Sequence, residues 1–208
     1  MSSELNEQEN FWKNEFGDEY SSRNNNTNES LEQRTSEFLK YLESTHEIKS
    51  VLEFGANIGL NLSILKSLLN EPSLHAVEIN SAAIKELSSV IPEQNIFEGS
   101  FNEFTSDQKF DLVFSRGVLI HLNPNELENA YNQLYKYSKR YILISEYFNA
   151  EPVSIDYRGY KNKLFKRDFC KEILKSHNDL QLIDYGFLYS SDNKYNYDDL
   201  TWFLMEKG

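Results

Sequence analysis

The chain has 208 residues, 33 acidic against 21 basic side chains for a formal net charge of -12, and a single cysteine, Cys170. That length supports one large domain with its own core, the acidity repels a polyanionic duplex and sets nucleic acid aside as a substrate, and a lone cysteine closes no intrachain disulfide. No apolar run is long enough to cross a bilayer, and the polar N-terminus lacks the apolar centre of a signal peptide, so a cytoplasmic protein without a membrane partner is expected.

In chain order, Trp12 and Phe16 stand four apart, as on the apolar stripe of a capping helix, and Ser21 to Asn28 reads as an asparagine-rich linker. Leu31, Phe38 and Leu42 recur at helical spacing. The strand from Ser50 then runs through Glu53 and Phe54 into Gly55-Ala56-Asn57-Ile58-Gly59, a tight turn that opens a helix carrying Leu60, Ile64, Leu65, Leu68 and Leu69. A second strand, Leu74 to Asn80, places a carboxylate at Glu78, where both hydroxyls of a ribose can be held. Helix Ser81 to Val90 stops at Pro92, and a short strand follows near Asn95 to Phe97.

Phe110 to Ser115 reads as the fourth strand. Asn123-Pro124-Asn125-Glu126 then starts a helix with cap, proline and returning acid, and Leu127, Ala130, Tyr131 and Leu134 form its core stripe. Arg140 to Tyr147 is a buried fifth strand. Residues 149–167 are too long for a simple connection and, rich in Tyr, Lys and Arg, are expected to be an irregular substrate loop. Leu180 to Leu188 and Leu200 to Met205 close the chain as a strand pair. Alternating strands and helices predict an α/β, doubly wound, mostly parallel sheet of seven strands, preceded by N-terminal capping helices over residues 1–45.

The glycine turn chooses among nucleosides. A dinucleotide site wants Gly-x-Gly-x-x-Gly, and counting from Gly55 the second and third positions hold Asn57 and Leu60. The pattern Glu53-x-Gly55-x-x-x-Gly59, with Glu78 downstream, instead resembles the first motif of class I S-adenosylmethionine-dependent methyltransferases. The resemblance implies the Rossmann-like fold of that class, S-adenosylmethionine as cofactor, S-adenosylhomocysteine as product and no metal. It places Glu53, Gly55, Asn57, Gly59, Glu78, Ile79 and Ser115 against the cofactor, with Ser100 and Phe101 at adenine; Ser100 stands where the class often carries an acid.

Two acceptor-side groups follow. His121 titrates near neutrality and can take a proton from a nucleophile, or can be a hydrogen-bonded structural side chain. Glu146, past the fifth strand, can orient a cationic substrate nitrogen, or can be a surface acid. Methyl transfer from a sulfonium is one displacement, in which alignment supplies roughly 7 to 11 kcal/mol.

The segments Phe11 to Tyr20 with Arg23 and Asn24, Tyr157 to Tyr160, Leu164 to Phe169 and Leu200 to Phe203 are similar to the small methyltransferases associated with pseudaminic acid biosynthesis. That resemblance implies an N-terminal segment folded over the cofactor, with Trp12 against it and Tyr20 or Arg23 reaching its carboxylate. It implies as substrate a nonulosonic acid or its activated form, touched by Arg116, Tyr147, Tyr157 and Arg158, with Lys163 or Arg167 as further partners of the acid group. N-methylation is the first expectation and O-methylation the second, in a monomer or homodimer. A protein that binds the cofactor without catalysis is the alternative.

Overall fold

The structure, a computed structural model, describes residues 5–23, 28–192 and 199–208, with backbone alone at 15, 22, 23 and 28–30. The apolar runs form strands β1 (Ser50–Phe54), β2 (Ser73–Glu78), β3 (Ile96–Glu98), β4 (Phe110–Arg116) and β5 (Ser138–Glu146), all parallel neighbours. With β8 (Leu180–Leu188) and β9 (Leu200–Lys207) they make a seven-stranded sheet in the order β3-β2-β1-β4-β5-β9-β8. β9 lies antiparallel between β5 and β8. The expected α/β, doubly wound, mostly parallel sheet is therefore the fold.

Alternation along the strands divides the core between the two faces of the sheet. From β1, β4 and β5, Leu52, Phe54, Val113, Ile142 and Ile144 join the stripe Leu127, Ala130, Tyr131 and Leu134 of α6 (Leu127–Tyr137). From the same strands, Val51, Leu112, Phe114 and Leu143 join Phe38 and Tyr41 of α3 (Asn28–Leu42) and Leu62, Ile64 and Leu65 of α4 (Leu60–Leu68). At about 25 cal/mol per Å² of apolar surface, these two layers are what hold the carboxyl ends of β1 to β4 in line.

Several boundaries differ from the sequence reading. Ser21 to Arg23 are helical, the end of α2 (Glu15–Arg23), and the rest of the asparagine-rich stretch up to residue 27 lies outside the described residues. The Ser21 hydroxyl donates back to the Gly17 carbonyl at 2.9 Å, which satisfies it inside the helix. α5 (Ser81–Leu87) stops short of Val90. The cap at Asn123 begins a single 3-10 turn, Pro124–Glu126, before α6 proper.

The largest correction concerns residues 149–167. They are not irregular: β6 (Val153–Tyr157) and β7 (Tyr160–Lys166) form an antiparallel hairpin, followed by α7 (Phe169–Ser176). Arg158 and Gly159 both take positive φ (50° and 86°), the two-residue turn whose twist matches paired strands. No helix among the described residues is long and apolar enough to cross a membrane.

Candidate active site

At the end of β1 the chain reverses in five residues. Gly55, Asn57 and Gly59 take φ of 73°, 48° and 84°, so Asn57 serves where only glycine or a short polar residue sits without strain. A Cβ on Gly55 would lie 2.5 Å from a Val118 methyl, and one on Gly59 would lie 2.7 Å from Leu87. The missing side chains let the loop after β4 and helix α5 close on the turn, while amides of Gly55 and Asn57 reach the Val77 carbonyl (2.8 Å) and Glu78 Oε2 (2.6 Å).

That turn floors a cleft across the carboxyl ends of β1 to β4, lined among others by Trp12, Tyr20, Gly55, Asn57, Glu78, Ile79, Ser100, Phe101, Arg116 and His121. Ten of the residues singled out from sequence are thus brought together. Glu78 Oε1 accepts the amides of Ile79 and Asn80, both at 2.9 Å, while Oε2 carries only the Asn57 amide. Of the expected two-pronged grip on ribose, the open lone pair of Oε2 is the prong that stays free for a hydroxyl. The Phe101 ring stacks on Phe54 at 4.1 Å, nearly parallel.

Several buried polar atoms here have no protein partner: Asn57 Oδ1, Ser100 Oγ, Trp12 Nε1 and Gln8 Oε1 in the walls, and Glu53 Oε2 behind the turn. Orphaned buried polar atoms are costly, roughly 1–3 kcal/mol each, and natural folds keep them where a ligand supplies the partner. Hydroxyl, amide and carboxylate groups spaced along a glycine turn are the donor set a nucleoside with an amino-acid tail requires, so the residues fit S-adenosylmethionine.

At one end of the cleft α3 adds a residue that sequence reasoning missed. Arg34 is half-buried in the wall and donates to Asn61 Oδ1 at 2.9 Å, and Asn61 donates to Glu53 Oε1 at 2.5 Å. Burial lowers the Arg34 guanidinium to about 10, with Arg116 pushing the same way. Burial also pushes the Glu53 carboxyl up to about 8 against the pull of Asn61 and Arg34. Arg116 is gripped from two sides by Glu37, at 3.0 and 3.2 Å. Its Nε and Nη2 are engaged with α3, while the residue still lines the cleft. The heptad-like placing of Arg34, Glu37 and Tyr41 on one face of α3 was the available signal.

Across the cleft, the 3-10 turn Leu119–His121 brings up the imidazole. His121 Nδ1 lies 2.7 Å from the Lys163 carbonyl, which can only accept, so Nδ1 carries the proton and Nε2 keeps the lone pair. Burial holds the ring neutral, lowering it to about 4. Trp12 packs on it at 4.6 Å and Tyr157 at 4.9 Å. Trp12 belongs to α1 (Glu7–Lys13), which covers the cleft: Asn80 Nδ2 donates to the Trp12 and Lys13 carbonyls and to Asp18, and Lys163 Nζ meets Glu7 at 2.8 Å.

Glu146 is not brought into the cleft. Its Oε1 accepts the Ser115 hydroxyl at 3.2 Å and the amides of Val118 and Leu119 at 3.1 Å each, and burial pushes the carboxyl up to about 7. A carboxylate so occupied braces the turn that carries His121, which corrects its expected role on a substrate nitrogen; Ser115 is its partner rather than a cleft residue. Gly59 lies behind the turn. Tyr147 is half-buried under the Lys166 ammonium at 4.9 Å. Arg158 is exposed at the hairpin tip, Lys163 is committed to Glu7, and Arg167 pairs with Glu172 at 3.3 Å. The Arg23 side chain lies outside the described residues. Among the described residues, no group of three or more His, Cys, Asp or Glu side chains is arranged to hold a metal ion.

Residues 51–140 match the family model described as "Methyltransferase domain". No curated protein matches the chain in sequence. Among solved structures, a 1,6-didemethyltoxoflavin-N1-methyltransferase from Burkholderia thailandensis, with 1,6-didemethyltoxoflavin and S-adenosylhomocysteine bound, is similar at TM-score 0.68 and 14% identity, over 90% of this chain and 83% of its own. A magnesium protoporphyrin IX methyltransferase from Synechocystis with bound S-adenosylmethionine gives 0.67 and 13%, covering 100% of both chains. An O-methyltransferase from a Brevibacillus brevis multienzyme in complex with S-adenosylhomocysteine gives 0.64 and 13%, over 83% and 72%. Residues 51–140 are thus similar to a methyltransferase domain, on a fold shared with structures of S-adenosylmethionine-dependent methyltransferases.

Proposed function

We propose that this methyltransferase modifies a hydroxyl of a small polar acceptor held in the cleft beside the packed rings of Trp12 and His121. When bound, the sulfonium cofactor supplies an electrophilic methyl group. Glu78 and the glycine turn would hold its ribose, Ser100 and the Phe101 backbone its adenine, and Arg34 with Tyr20 its carboxylate. The observation that carries the reading is the neutral His121 in the cleft wall, with Nδ1 anchored and Nε2 free to accept a proton. As the acceptor oxygen attacks, its proton passes to Nε2, and the Lys163 carbonyl supports the positive ring that results.

This reverses the order of acceptors expected from sequence, because the carboxylate that favoured nitrogen, Glu146, braces the turn instead. For the acceptor itself we take a nonulosonic acid or its activated form, supported by the sequence resemblance of residues 11–20, 157–160 and 164–169. Arg158, exposed at the hairpin tip, is the cation available to its carboxylate.

Calorimetric titration with S-adenosylhomocysteine should show one site, and Glu78→Gln should weaken it about 10- to 100-fold, the worth of a charge-assisted hydrogen bond. No heat on titration would end the cofactor reading. Mass fragmentation of the product from candidate sugars should place the methyl on oxygen, and a methyl on nitrogen would remove the role given to His121.

A further inference from the structure

Two of the unpartnered buried atoms lie on α1, across the cleft wall from the glycine turn. Gln8 and Trp12 are one helical turn apart, so their side chains share a face, and both line the cleft. Gln8 is only 5% exposed. Its Nε2 donates to the Asn162 carbonyl at 3.3 Å, which fixes the amide orientation and leaves Oε1 buried with nothing to accept. Trp12 Nε1 is buried with nothing to donate to, on a ring packed 4.6 Å from the His121 ring. The α1 wall thus shows one unpaired acceptor and one unpaired donor, both uncharged, beside the proton-accepting imidazole.

We infer that the acceptor molecule carries a neutral secondary amide next to the methylated atom. Its carbonyl takes the Trp12 indole N–H, and its N–H is taken by Gln8 Oε1. Other common groups leave one of the two buried atoms bare: an ammonium offers Trp12 no acceptor, and a carboxylate offers Gln8 no donor. A lone hydroxyl has to serve both from a single oxygen, whereas an amide holds donor and acceptor on separate atoms. Rejection by an unpaired buried polar group is the stronger form of selectivity, so this wall sorts acylated amines from free amines and acids.

This inference rests on the cofactor reading above, and the test separates the two. Protein saturated with S-adenosylhomocysteine is titrated with N-methylacetamide, ethylene glycol and methylammonium, and the two indole N–H signals are followed by NMR, with Trp12→Phe assigning that of Trp12. The Trp12 signal should move with N-methylacetamide and not with the other two. Gln8→Met should weaken that response about tenfold, the worth of one hydrogen bond to a buried group, while leaving affinity for S-adenosylhomocysteine within about twofold. An equal response to ethylene glycol, or no response to the amide by cofactor-loaded protein, overturns the inference. So does Trp12→Phe weakening S-adenosylhomocysteine itself about tenfold, which would assign the indole to the cofactor.

Discussion

Removing the Glu146 carboxylate strips the His121 turn of its brace. In Glu146→Ala the amides of Val118 and Leu119 lose their acceptor in a buried place, and a cost of about 2–4 kcal/mol follows. A denaturant midpoint lowered accordingly, with the His121 ring resonance shifted, is the expected outcome; unchanged stability would show that the turn holds itself. The place of Glu78 and His121 in the cleft was readable in the sequence because each lies at or just past a strand's carboxyl end, where cleft residues gather. Glu146 shares that position but folds back under its neighbours, and nothing local distinguishes the two cases. Arg34, Gln8 and Asn80 were invisible for a different reason: each enters through the docking of a helix remote in sequence, so its surroundings are set by contacts no short motif encodes.

The junction from β1 to α4 depends on Gly59, whose φ of 84° caps the helix in the left-handed region. Gly59→Ala adds roughly 1–2 kcal/mol of backbone strain and a methyl 2.7 Å from Leu87 Cδ1, so the Leu87 side chain has to give way. The expected result is a lower thermal midpoint together with weakened S-adenosylhomocysteine binding, since one turn serves both. A variant that melts lower yet binds unchanged would separate the two. Strands β1 to β5 and the terminal pair were legible because apolar runs bounded by turn residues specify them. The β6–β7 hairpin was missed because its strands are mostly exposed and do not alternate cleanly. The sole local signal was Arg158-Gly159, a weaker turn dipeptide than Asn-Gly.

Buried ionisable groups give the molecule an unusual pH response. Glu53, Glu78 and Glu146 all have carboxyls raised by burial, two of them to about 8 and about 7, so the folded chain keeps protons that the unfolded chain has already released. That stabilisation is complete below the ordinary carboxyl value of 4.5 and is lost as pH rises through the folded values. His121 works the other way, refusing a proton that the unfolded chain accepts below 6.5. His75 and His177 are likewise lowered by burial, but the raised carboxyls, with Glu53 and Glu146 pushed furthest, outweigh the histidines, so the thermal midpoint of the cofactor-free protein should rise as pH is lowered from about 8 to about 5. A midpoint that falls over this range would mean the glutamates are ionised in the fold.

The position of β9 also constrains how the chain reaches this state. It lies between β5 and β8, yet it is made after both, so during synthesis these two strands have bare edges and no partner between them. Pairing of β9 with β8 is local, but its pairing with β5 joins segments far apart in sequence, which is slow. Until it happens, the nascent chain presents two adhesive borders to its neighbours, so crowding on a polysome is where this protein is most exposed to aggregation.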